Sequence, residues 1–133
     1  MNRRFVCAVA ALVLLVGSGA GLGLAQEPTT NDGVYTTEQA AQGKTLYAEV
    51  CETCHQSAKF TGAEFNRAYV GRPLSEMLAS MAEMPPDNPG SLTAEQFATL
   101  IAYFLDMNQY PAGSTPLDGE TDALRRIMLS PRP

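Results

Sequence analysis

The stretch Cys51-Glu52-Thr53-Cys54-His55 sets two thiols three positions apart and follows them at once with an imidazole. On a tight helical turn such thiols face nearly the same side. Each then reaches one vinyl group of a single porphyrin and closes a thioether bond, while the imidazole points at the iron. Three other arrangements use similar residues. A structural zinc site would need a fourth ligand of the same kind, and the chain has three cysteines and one histidine in all, leaving only Cys7 outside the pentad. A thioredoxin-like pair would need a strand and a crossover helix around it, whereas the residues before Cys51 read as a helix. A plain disulfide leaves His55 without a part. The pentad therefore predicts one covalent haem c, with Cys51 and Cys54 as attachment points and His55 as an iron ligand.

The start of the chain points the same way. Arg3 and Arg4 precede an apolar run from Phe5 to Val16 and then a Gly-rich small-residue stretch, the layout of a secretory signal peptide. Gly23 and Ala25 supply the small positions before a cut, so residues 1–25 are expected to be removed, leaving about 108 of the 133 residues. An uncleaved anchor is the alternative, since Phe5 to Ala25 is almost long enough to span a bilayer. The alternating Gly17, Gly19, Gly21 and Gly23 make a weak helix and argue against a membrane anchor. The expected location is a bacterial periplasm, where two free thiols would tend to oxidise unless consumed by thioether formation.

Without Arg3 and Arg4 the chain carries 7 basic and 14 acidic residues, a net charge of about −7. Nucleic acid and anionic membranes are poor partners for such a surface. A protein with a basic docking patch is favoured through electrostatic steering, unless the acidity serves only solubility. A chain of this size builds a modest core, which a flat apolar porphyrin would enlarge, so the apo-protein is expected to fold poorly.

Along the exported part, Gln26 to Tyr35 is short and polar and reads as a flexible lead-in (26–36), with order beginning near Thr36. Thr36 with Gln39 makes a capping-box pattern, and Ala40, Gly43, Tyr47 and Val50 recur at helical spacing, predicting a helix that runs into the pentad. A glycine in mid-helix is costly unless another helix approaches closely, so Gly43 predicts a crossing helix. That partner is read at Thr93 and Gln96, a second capping box spanned by a Leu92–Phe97 staple, followed by the stripe Phe97, Leu100, Ile101, Phe104 and Leu105 ending near Asn108. Gly43 and Tyr47 are expected to meet it around Phe97, Ile101 and Phe104. Between them, Gln56 to Tyr69 reads as a loop around the haem edge with Phe60 and Phe65 as apolar covers. A short helix after Pro73 shows Leu74, Met77, Leu78 and Met81 on one face and stops at Pro85 and Pro86. From Ala112 a Pro/Gly linker leads to a short helix over Thr121 to Leu129, whose Leu124, Ile127 and Met128 either pack on the body or form a docking edge.

With a single histidine the iron cannot have two histidine ligands. Met84, ahead of Pro85 in a stiff loop, is the expected distal metal ligand. Met81, at helical spacing with Met77, is the alternative, and an open iron position is the third.

The capped helix before Cys51–His55, the pentad itself, the Met84–Pro85 loop and the run from Leu92 to Asn108 resemble class I cytochrome c, over roughly residues 37–111, leaving 112–133 as a C-terminal tail. The resemblance implies an all-α fold of orthogonal helices packed around the haem, with Cys51, Cys54, His55 and Met84 binding the cofactor. It implies a periplasmic one-electron carrier, not an enzyme, exchanging electrons with redox protein partners: a dehydrogenase donor and an oxidase or other cytochrome acceptor. The alternative is a cytochrome subunit of a periplasmic quinoprotein-type dehydrogenase. A haem peroxidase or gas sensor is disfavoured by the lack of a second histidine. The sequence departs from better-known members in having no tryptophan and only Lys44 and Lys59 as lysines. Tyr69 is expected in the packing role of the missing indole, and Arg72 either at a haem propionate or in a surface salt bridge.

Overall fold

The computed structural model describes residues 26–132; the expected export signal, residues 1–25, lies outside the described residues. The described chain is all α: α1 (Thr37–Val50), α2 (Gly62–Tyr69), α3 (Leu74–Met81), α4 (Ala94–Met107) and α5 (Thr121–Arg125), with single 3-10 turns at Thr30–Asp32 and Ser57–Phe60.

The two long helices start where their caps predict. Thr93 accepts the Gln96 N–H while the Gln96 side chain accepts the Thr93 N–H, a complete capping box. At α1 only half of the box forms. Thr36 accepts the Gln39 N–H at 3.1 Å, but the Gln39 amide turns away, donates to the Leu117 carbonyl at 2.9 Å and accepts the Leu117 N–H at 2.8 Å. Two hydrogen bonds out of reach of water outweigh one at an exposed helix end.

The main helix–helix contact is α1 against α4, and Gly43 is its closest point. A Cβ there would lie 1.8 Å from the Thr99 carbonyl oxygen and 2.9 Å from Tyr103 Cβ. The crossing is the expected one, displaced: Gly43 faces Thr99 and Tyr103 rather than Phe97 and Ile101, while Tyr47 does meet Phe104, with ring centroids 5.8 Å apart. Phe97, Leu100, Ile101, Phe104 and Leu105 are all buried.

Four expectations are corrected. Gln56–Tyr69 is not a loop, since α2 occupies 62–69. Its first residue, Gly62, has φ +65°, and the Gly62 N–H donates to Asn108 Oδ1 at 3.0 Å across 46 residues, so a tertiary contact starts the helix. Phe65 accordingly points inward, 1 % exposed, against Tyr69 and Tyr110. The flexible lead-in is pinned: Thr29 caps the first 3-10 turn and Thr30 is fully buried. Tyr35, equally buried, donates from its hydroxyl to the Tyr110 carbonyl at 2.7 Å.

The fourth correction concerns the tail. The helix expected over Thr121–Leu129 stops at Arg125 because residues 127–129 pair with other backbone. Met128 bridges Thr29 in parallel and Pro73 in antiparallel, with Thr30 N–H to the Met128 carbonyl at 3.0 Å and Leu129 N–H to the Arg72 carbonyl at 2.9 Å. Leu117, Leu124 and Leu129 are buried in the body and complete the core, while Ile127 and Met128 of the expected edge are half-buried, Ile127 packed against that core.

Candidate functional site

The pentad is a turn grown out of the last turn of α1. Cys51 caps the helix, its N–H bonded to the Tyr47 carbonyl at 2.8 Å, and the N–H groups of Cys54 and His55 return to the Cys51 carbonyl at 3.2 and 2.9 Å. This tight winding sets Cys51, Cys54 and His55 on the wall of one cleft. The Tyr47 hydroxyl donates to the His55 carbonyl and ties the end of the pentad to the helix that carries it. No disulfide joins Cys51 to Cys54. Burial pushes the Cys51 thiol up, and it pushes the Tyr47 phenol up to about 12, helped by the nearby Cys51, Tyr103 and Glu52. The Tyr47 phenol stays neutral at ordinary pH.

The end of α3 and the loop beyond it also line the cleft. Met81 closes α3, and the Met84 N–H returns to the Met81 carbonyl at 2.9 Å, so both methionines line the cleft with Pro85 and Pro86 behind them. Met84 is 38 % exposed and is the large apolar side chain at the cleft that protein atoms cover least. Phe97, Leu100 and Phe104 of the α4 stripe and Leu92 also line it. Phe60 covers the histidine side, stacked on Phe104 with centroids 5.0 Å apart and edge-on to His55 at 5.8 Å. Tyr69 is also on the wall, its hydroxyl 3.1 Å from Ser80 Oγ.

The space left by protein atoms is about 820 Å3, part of it open to solvent. A slot with mainly apolar walls that gathers two thiols, an imidazole and two thioethers has the donor set of an attached haem. The residues present fit that group. They do not fit zinc: among the described residues no three His, Cys, Asp or Glu side chains come together as a metal site.

The structure thus brings Cys51, Cys54, His55, Met84 and the alternative Met81 to one cleft, along with Phe60 and Tyr69. Phe65 and Arg72 are not there. Arg72 pairs with Glu76 at 3.0 Å one turn along, both side chains about half exposed, as the salt-bridge reading had it. Sequence reasoning missed Ser80 and Asn108. Neither stands out in the sequence, because each works through a partner far along the chain or on another element.

A helical domain whose thiol–thiol–imidazole turn shares one apolar cleft with a methionine loop defines the class of c-type cytochromes. The family model described as cytochrome C oxidase, cbb3-type, subunit III matches residues 38–104, half of the chain, and the protein belongs to that family. Its domain is a haem c domain and its work is haem-based electron transfer. No curated protein and no solved structure matches the chain.

Proposed function

We propose that the protein is a periplasmic one-electron carrier holding a single covalent haem, with Cys51 and Cys54 as the thioether residues and His55 and Met84 as axial ligands. The observation that carries this is the convergence of Cys51, Cys54, His55 and Met84 on one apolar cleft. When bound, haem supplies a one-electron iron couple. The chain's own residues do the rest. Cys51 and Cys54, held by backbone bonds to the Tyr47 and Cys51 carbonyls, would attach it. His55 and Met84 would supply an imidazole and a thioether to the iron, and a thioether ligand favours the reduced state. Phe60, Phe97, Leu100 and Phe104 would surround the group with apolar side chains, which raises the cost of the extra charge on an oxidised form.

Export through residues 1–25 accounts for the periplasmic location. The partners are redox proteins, a dehydrogenase donor and an oxidase or other cytochrome acceptor. The family's description, which names an oxidase subunit, favours a second reading in which the same haem module works inside an oxidase complex. A dehydrogenase subunit is less favoured, because of the tail side chains offered for assembly Leu124 is buried in the body and Ile127 and Met128 are half-buried.

The test is the optical spectrum of the exported holoprotein beside Met84→Ala and Met81→Ala. A low-spin ferric spectrum with the weak sulfur-to-iron band, lost only in Met84→Ala, is the expected result. Loss only in Met81→Ala moves the ligand to α3. Material whose colour is removed by denaturing extraction refutes covalent attachment. Co-purification with a membrane oxidase selects the second reading.

A further inference from the structure

Phe60 is the side chain that meets the His55 ring, and it is held there by a device remote from the pentad. Asn108, 4 % exposed at the end of α4, makes three hydrogen bonds with one amide. Its Nδ2 donates to the Phe60 carbonyl at 2.8 Å and to the Phe104 carbonyl at 2.8 Å, while its Oδ1 accepts the Gly62 N–H at 3.0 Å. The corner 60–62 is therefore bolted to the same turn of α4 that carries Phe104. The Phe60 ring lies on Phe104, with planes 21° apart, and presents itself to the His55 ring at 66°. The Tyr47 hydroxyl holds the His55 backbone, and Tyr47 also meets Phe60 edge-on at 6.2 Å.

A histidine ring fixed at its backbone keeps rotation about its own side-chain bonds, and an aromatic ring held edge-on beside it narrows that freedom on one side. We propose that Asn108 and Phe60 are positioning residues that set the rotational angle of the His55 imidazole about its bond to the iron. Asn108 locates Phe60, and Phe60 limits His55. The inference rests on His55 being the proximal ligand. Its consequence is electronic as well as mechanical: the direction of the imidazole plane fixes which iron orbital carries the unpaired electron of the ferric state, and so which edge of the porphyrin receives its density. The second shell of a metal-bound histidine tunes the metal in this way in general.

The readout is the set of haem methyl resonances in the proton spectrum of the ferric holoprotein, whose order and spread follow the imidazole plane. Asn108→Asp keeps the shape of the side chain but loses both donated bonds, and Phe60→Leu removes the ring. Both are expected to reorder the methyl resonances or narrow their spread while the spectrum stays low-spin. Gln39→Ala is the control: it breaks the Leu117 bonds at the other end of α1 and is expected to lower the melting temperature with the methyl pattern unchanged. Unchanged methyl patterns in both Asn108→Asp and Phe60→Leu overturn the inference. So does an equal change in Gln39→Ala, since the pattern would then follow general loosening. A wild-type protein without low-spin covalent haem refutes the proposed function itself, a failure visible before any variant is made.

Discussion

Replacing Gly43 with alanine adds one methyl group at the tightest point of the molecule. The new Cβ would stand 1.8 Å from the Thr99 oxygen and 2.5 Å from the Thr99 carbonyl carbon, both backbone atoms of α4, where ordinary contact begins at 3.4 Å. No side chain can swing aside to relieve this. Restoring 3.4 Å against that oxygen requires the helices to part by about 1.6 Å, or to slide, and every buried contact between them loosens with the move. Overpacking of this kind costs about 1–3 kcal/mol, sometimes more. Against it stands a gain of about 1 kcal/mol from replacing glycine inside a helix. The steric loss should win, because an obstruction by helix backbone puts it near the top of that range, and a net loss of about 2 kcal/mol lowers the melting temperature by roughly 8–16 °C. Since α1 carries the pentad at its end, the same loosening should shift the spectrum of the iron. Thermal unfolding of the holoprotein by circular dichroism, with the Soret band followed in parallel, measures both. Gly62→Ala is the comparison: a Cβ there meets nothing within 4 Å but must adopt φ +65°, so it carries only the left-handed backbone cost of about 1–2 kcal/mol. A Gly43→Ala protein as stable as wild type would refute the reasoning, for it would mean that α1 and α4 do not touch at that residue.

Gln39→Ala leaves the Leu117 N–H and carbonyl buried without partners and should cost about 2–4 kcal/mol; the urea midpoint should fall with the slope unchanged, and an unaltered midpoint would show that water reaches Leu117. Truncation after Pro111 removes the buried Leu117, Leu124 and Leu129, each worth about 1.5–3 kcal/mol, so the shortened chain should fail to unfold cooperatively; native-like cooperative unfolding would make the tail dispensable. Burial, with Asp106 close by, pushes the Tyr35 phenol up to about 12 from 10.0. The unfolded chain therefore releases this proton first, so the stability Tyr35 contributes is whole below pH 10 and drains away as pH rises toward about 12. Urea midpoints between pH 8 and 12 should fall less steeply in Tyr35→Phe, from a lower start because the bond to the Tyr110 carbonyl is lost; parallel curves would show that Tyr35 titrates normally.

The candidate site was legible in the sequence where its residues are neighbours. Cys51, Cys54 and His55 lie on one turn, and their spacing alone puts them on one wall. Met84 was legible through Pro85, which keeps it out of a helix, although the distance from Met84 to His55 along the chain says nothing of their sharing one cleft. Phe60 and Phe65 looked alike as aromatics five positions apart. Only one of them faces the cleft, because α2 begins between them and turns Phe65 toward Tyr110.

Local chemistry, which the sequence carries in full, determined the pentad turn, the caps of α1 and α4, the apolar stripe of α4 and the need for a close crossing at Gly43. Each depends on residues within a few positions of one another or on a single missing side chain. The tertiary structure alone decided where Gln39 spends its amide, where α2 starts and how the tail lies. It also decided that Arg72 bonds Glu76 and does not face the cleft. Those outcomes turn on backbone groups brought together from opposite ends of the chain. A polar side chain with several partners within reach takes the one best shielded from water, and that shielding exists only after the helices have packed.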